Sequence, residues 1–200
     1  MTFGDPYAID HSRRDIAPGV SPLFAERWSP RAFRNVEIPA DILTAIFDAA
    51  RWSPSCFNDQ PWIFVTSTDE ASFDRYLGLI VEGNRTWARH ASVLGFAIAR
   101  RHFAHNDTPN DWAAFDTGAA WMAMTLQARQ YGLYTHGMGG IHKDAVYNQL
   151  DINREKYEVI CGFAIGALDT PDTLPRDLCE REVLSQRNSL ASMWNPTDLS

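Results

Sequence analysis

The sequence predicts an α+β domain, a mixed and largely antiparallel central sheet flanked by helices, and three observations carry that prediction. Segments of helical period and segments of strand composition neither alternate regularly nor fall into separate halves. The 200 residues, 45% of them apolar, suffice for one well-formed core and are too few for two comfortable domains. Two runs read as central strands, Trp62 to Thr66 from its β-branched and aromatic content and Tyr157 to Leu168 closing the core.

The elements follow in order. Residues 1–20 are polar and mixed, with Pro6, Pro18 and Gly19, and are expected to form an arm ahead of a single domain over 21–200. Ser21-Pro22 sets an N-cap before a proline at the first helical position, opening a short helix to about Trp28. A second helix starts at Pro39-Ala40-Asp41 and carries Ile42, Leu43, Ile46, Phe47, Ala49 and Ala50 at helical spacing, stopping before Pro54. The stretch from Pro54 to Pro61 holds two prolines and an Asn-Asp step and is expected to be irregular. Ser67-Thr68-Asp69-Glu70 caps a helix with a Phe73, Tyr76, Leu77, Ile80 stripe. A short helix over 84–90 and a buried strand over 92–99 come next, then a polar loop over 100–110. The longest helix is expected over 111–131, ended by Gly132, with alanines that let another helix approach closely. Residues 133–140 read as a glycine-rich turn, 143–150 as a helix, and the proline-bearing last thirty residues as an extended tail.

The balance of charge excludes several function classes. A formal charge of −7 and a pI near 5.3 offer no basic face, so neither nucleic acid nor an anionic membrane surface is an expected partner. No apolar run approaches the roughly 18 residues of a membrane span. The N-terminal stretch lacks an apolar core before a cleavage site, and Cys56, Cys161 and Cys179 are odd in number and widely spaced. Both features point to the reducing cytoplasm.

Four segments carry chemistry-bearing side chains. Arg27, Ser29 and Arg31 stand two apart around Trp28, so an extended backbone would project all three to one side, where guanidinium forks and a hydroxyl suit a phosphate. A solvated helix end accounts for the same residues. Ser55, Asn58 and Gln60, after Pro54, offer carboxamides that match the donor–acceptor edge of a pyrimidine-like ring, or that satisfy their own loop. Gly137-Met138-Gly139-Gly140 lets backbone N–H groups approach a ligand, or simply turns. It is not a dinucleotide fingerprint, because His142 occupies the third glycine position. Arg187 lies in Ser185-Gln186-Arg187-Asn188. His102 and His105 could pair on a metal with Asp107 nearby, but no third ligand is placed by spacing, so no metal site is expected, and Cys56 has no histidine partner in its motif.

In combination these segments resemble the nitroreductase family of FMN-dependent oxidoreductases, over residues 22–194. RWSPRAF is similar to its R-x-S-x-R-x-F segment and ARWSPSCFNDQPW to its A-x-x-x-P-S-x-x-N-x-Q-P-W loop. Asp116-Thr117-Gly118 with the later Tyr131-Gly132-Leu133, then GMGGI and SQRNSLASMW, keep the family's order. The resemblance implies an intertwined homodimer with FMN at its interface. Arg27, Ser29 and Arg187 would hold the phosphate, Arg31 would lie by the N1/O2 end of the ring, and Trp28 and Pro54 would line the two motifs. Ser55, Asn58 and Gln60 would reach across from the partner, Asn84 would meet the pyrimidine edge, and the backbone of Met138, Gly139 and Gly140 would face N5 and O4. Trp87 stands where some members carry a lysine. With Trp112 and Phe115 it is the expected wall for a flat acceptor. NADH or NADPH would reduce the flavin by a ping-pong mechanism that needs no catalytic side chain, before a nitroaromatic, a quinone or another small acceptor takes the electrons. The runner-up is a flavin-binding dimer without turnover, or a member specialised as a dehydrogenase or dehalogenase.

Overall fold

The protein is described from a computed structural model over residues 2–12 and 14–194. Helix α1 (Pro22–Glu26) leads to a two-residue strand β1 (Phe33–Arg34) and helix α2 (Ala40–Arg51). Strand β2 (Trp62–Thr66) precedes α3 (Glu70–Gly78), α4 (Glu82–Ala88) and β3 (Val93–Arg100). The long α5 (Ala113–Gln130), β4 (Leu133–Met138), α6 (Lys143–Gln149), β5 (Tyr157–Leu168) and α7 (Arg176–Cys179) complete the order.

Every strand pairing among the described residues is antiparallel, so the expected mixed sheet is an antiparallel one. Strand β5 is its spine. Residues 162–165 of β5 pair with β3 and with β4, which therefore flank it on opposite sides, while β2 extends the sheet beyond β3. Alternation along the strands sorts side chains into two cores. Leu94, Phe96, Ile98, Ala164 and Leu168 face a core shared with Tyr76, Trp87 and Tyr147 of α3, α4 and α6. Val93, Phe163, Ile165 and Ala167 face the other, beneath Ile42, Ile46, Ala120 and Met124 of α2 and α5.

Two expectations need correction. Residues 133–138 are a strand rather than a turn, because Leu133, Tyr134 and Thr135 are good strand formers that pair with 167–165 of β5; only Gly139-Gly140 turns. The described residues of the first twenty include docked ones and are not a loose end. The Phe3 N–H donates to the Tyr131 carbonyl (2.7 Å), and Asp5 accepts from Arg129 (3.0 Å) and the Tyr134 hydroxyl. Gly132 permits this, since at φ +77° a Cβ would collide with the Phe3 carbonyl. The tail carries α7 and two short 3-10 turns, so it is not wholly extended; the expectation for its end, 195–200, lies outside the described residues.

Candidate functional site

The segment after α1 is held open by contacts from distant parts of the chain. Arg27 leaves the helix with extended backbone angles, and its Nη1 donates to Ser29 Oγ (3.3 Å). Two residues on, the Arg31 and Ala32 N–H groups both donate to Glu182 Oε1, at 2.6 and 2.8 Å. Glu182 Oε2 lies 3.8 Å from the Arg31 guanidinium and makes no hydrogen bond. Burial pushes the Glu182 carboxyl above the usual range, opposed by the two N–H donors and the Arg31 cation. Pro30 is anchored from below, its carbonyl taking a hydrogen bond from His136 Nδ1 at 2.7 Å. His136 is driven down to about 4 by burial and by the cations of Arg31 and Arg27, against the Pro30 and Ser29 carbonyls, so its ring is neutral near pH 7.

Three guanidiniums converge here. Burial, then the charges of Arg187 and Arg14, depress Arg27; burial and Arg187 depress Arg14. Among the described residues none of the three forms an ion pair with a carboxylate. An uncompensated cluster of cations favours an anion.

Strand β4 runs from His136 towards the glycines, about 10 Å further along at the usual strand rise. There Asn84 Nδ2 donates to the Gly140 carbonyl (3.3 Å), and a Cβ on Gly140 would lie 2.6 Å from that same nitrogen. The N–H groups of Gly139 and Gly140 have no acceptor among the described residues. Met138 offers only backbone, its side chain being buried.

The loop of Pro54 to Gln60 lies elsewhere in the chain. Its Cys56 N–H donates to Asp116 Oδ2 (3.0 Å) near the start of α5, whereas α1 packs by Arg129, near the end of α5, through Glu26. Thirteen helical residues separate the two anchors, about 20 Å. Phe57, Asn58 and Gln60 all have positive φ (54°, 56° and 52°), a costly backbone for side-chain-bearing residues. Ser55 Oγ accepts from the Gln60 N–H (2.9 Å) and the Gln60 amide donates to the Asn58 carbonyl (2.9 Å), so these two partly serve the loop itself. The Asn58 carboxamide has no partner among the described residues and is exposed. Asp59 fastens the loop to residues 100–110, accepting from Arg100 (2.8 Å), the Ala104 N–H (2.8 Å) and Asn110 (3.3 Å). Burial raises its carboxyl, but those donors together bring it below the ordinary range.

Two expected residues sit differently from their expectation. Trp87 is fully buried, its ring against His136 (4.5 Å) and Phe33 (6.0 Å), which leaves no surface for an acceptor. Trp28 is buried edge-on to Tyr134, so only its backbone faces the segment it belongs to. Trp112 and Phe115 are exposed at 57% and 73%, and Pro54 is exposed at the start of its own loop. Arg14, His136 and Glu182 carry no local motif. A signal for His136 lies in its place within the run 133–138, but that run reads as a turn from the sequence.

Taken together, these features fit the class of flavin-binding α+β oxidoreductases, with a cluster of cations, a strand of the right length and free backbone donors. The donor set fits FMN: unpaired guanidiniums and Ser29 for a phosphate, and the Gly139 and Gly140 N–H groups with Asn84 for an acceptor-rich ring edge. The nitroreductase family model matches residues 24–95 and 74–167. A crystal structure described as an oxidoreductase containing FMN is 42% identical, with a TM-score of 0.90, covering 97% of this chain and 99% of that one. An FMN-dependent nitroreductase from Clostridium difficile (22% identity, TM-score 0.61, 72% and 84% covered) shares the fold. So does CLA-ER, an enone reductase of gut-bacterial fatty acid saturation (19% identity, TM-score 0.70, 89% and 97% covered). No curated protein matches the chain. The chain belongs to the nitroreductase family of FMN-dependent oxidoreductases.

Proposed function

We propose that the protein works as a cytoplasmic homodimer that binds FMN at the subunit boundary and uses NADH or NADPH to reduce a small, flat electrophile such as a nitroaromatic or a quinone. Bound there, FMN supplies a two-electron redox centre that accepts a hydride from the nicotinamide and passes the electrons to the acceptor in ping-pong order. The observation that carries the reading is the group of Arg14, Arg27 and Arg187 near Ser29, with no carboxylate paired to them among the described residues. Arg27, Ser29 and Arg187 hold the phosphate in this reading. Arg31, steadied by Glu182, stabilises negative charge at the near end of the ring, and Asn84 with the Gly139 and Gly140 N–H groups orients the other edge.

The separation of the two groups of residues supports a site completed by a second copy of the chain. The α5 anchors of the two segments, Asp116 and Arg129, stand about 20 Å apart, which supports a reading in which Ser55, Asn58 and Gln60 reach the flavin of a partner. Exposed aromatic surface supports the same reading: Trp52, Phe57, Trp112 and Phe115 are each more than half exposed. The partner's loop brings the carboxamides, and Trp112 and Phe115 bound the space for a flat acceptor. No helix among the described residues is long and apolar enough to cross a membrane, and the three cysteines are free.

The test is direct. The purified protein, incubated with FMN and gel-filtered, should stay yellow, elute as a dimer, bleach under NADH or NADPH without oxygen, and regain colour with menadione. A yellow protein that neither nicotinamide bleaches is a binding protein and overturns the enzymatic reading. A protein that retains no FMN overturns the site.

A further inference from the structure

Arg14 lies outside every motif that carries the family resemblance, yet its guanidinium is held in place beside two of them. Nη1 donates to the Ala25 carbonyl and, at 2.9 Å, to the Arg27 carbonyl, spanning the end of α1. Nε and Nη2 are buried and have no hydrogen-bond partner among the described residues. Arg14 and Arg187 line one cavity of about 240 Å³, between residues 14–17 of the arm and 186–190 of the tail. Asp15 lines it too, but pairs with neither arginine. A guanidinium fixed on one edge, with two buried N–H-bearing nitrogens unsatisfied on the rest, in a cavity shared with another cation, is an anion donor awaiting its acceptor.

We propose that Arg14, from the N-terminal arm, is a third guanidinium ligand of the FMN phosphate, so that the arm selects the phosphorylated flavin over riboflavin. This rests on the phosphate reading of Arg27 and Arg187. The ligand group is a phosphomonoester dianion. Its charge compensates three cations that otherwise repel one another, and its oxygens accept from the free Arg14 nitrogens. The two carbonyl contacts aim the side chain; the phosphate contact is the binding step.

The experiment measures FMN and riboflavin affinity by quenching of flavin fluorescence, in wild type, Arg14→Met and Arg14→Lys, with Arg27→Met as comparator. Arg14→Met should weaken FMN roughly ten- to a hundredfold and leave riboflavin unchanged, with a shallower dependence of FMN affinity on salt. Arg14→Lys should recover part of the loss, because the charge returns without the fork. Equal losses for FMN and riboflavin in both variants would show that Arg14 only fastens the arm, and would overturn the inference. So would unchanged FMN affinity in Arg14→Met while Arg27→Met loses it. If Arg27→Met also binds FMN normally, the phosphate reading itself fails, a result distinct from failure at Arg14.

Discussion

His136 makes stability depend on pH in a direction that can be worked out beforehand. Its ring is buried against Trp87 and donates through Nδ1 to the Pro30 carbonyl, with Arg27 and Arg31 close enough to oppose a further positive charge. The pKa falls from 6.5 in the unfolded chain to about 4 in the folded one. Above pH 6.5 the imidazole is neutral in both states and contributes no pH dependence. As pH drops from 6.5 towards 4 the unfolded chain takes up a proton that the folded chain refuses, so stability is lost; below about 4 the loss stops growing. The gap between the two values corresponds to ~3 kcal/mol as an upper bound. His136→Gln keeps an N–H for Pro30 and removes the titration. Urea unfolding of both proteins, followed by tryptophan fluorescence from neutrality to about pH 4, gives the comparison. Carboxylates and the other histidines titrate alike in both, so the difference isolates this ring. The variant should start lower, having lost the stacking, and the gap should close by up to ~3 kcal/mol as pH falls. Parallel curves would refute the assignment of a buried neutral ring.

Two further substitutions probe the scaffold. Glu182→Ala removes the acceptor for two N–H groups and the counter-charge of Arg31, so its thermal unfolding should drop by an amount equivalent to about 3–5 kcal/mol. Glu182→Gln keeps an acceptor and should lose less; because burial raises the Glu182 carboxyl, ionising it costs wild-type stability as pH rises above the ordinary carboxylate range, and the gap to Gln should narrow there. Unfolding of Glu182→Ala that matches wild type would sink the clamp. At Gly140 an added methyl meets Asn84 Nδ2 at 2.6 Å and Val81 Cγ2 at 2.8 Å, so Gly140→Ala should cost about 1–3 kcal/mol, and less in an Asn84→Ala background. Strict additivity in the calorimeter would mean that the two residues do not touch.

Local chemistry made most elements legible, and contacts across the chain hid the rest. The Asp69 cap was readable because a capping box is a four-residue pattern, and the structure has Asp69 accepting from the Ser72 N–H at 2.7 Å. The strand over 62–66 and the Gly132 helix stop were readable for the same reason. Strand β4 was not, because the glycines at 137, 139 and 140 outweighed the Leu-Tyr-Thr run that pairs with β5. The arm looked loose because its anchors, Tyr131, Arg129 and Tyr134, lie more than a hundred residues away. At the candidate site, the sequence pointed to residues in motifs and not to their supports. Trp87 shows the opposite error: it stands where some members carry a lysine, but its ring is buried against His136 of β4.

The supports share one chemistry. Asp116, Asp59 and Glu182 each direct a carboxylate at backbone N–H groups of a segment that carries expected ligand residues, or of the segment fastened to it: Cys56 for Asp116, Ala104 for Asp59, Arg31 and Ala32 for Glu182. Such segments cannot use helix or sheet ladders, because their side chains must project irregularly, so their N–H groups need other acceptors. A carboxylate is the strongest acceptor available, and holding it apart from Arg14, Arg27 and Arg187 leaves those cations free for an anion. Had any of the three acids been placed beside the arginine cluster, the resulting ion pair would have competed with phosphate for the same guanidiniums. The net acidity of the chain therefore does not conflict with an anionic ligand: what governs binding is where the acids point, and these three direct oxygens at backbone N–H groups and pair with none of Arg14, Arg27 and Arg187.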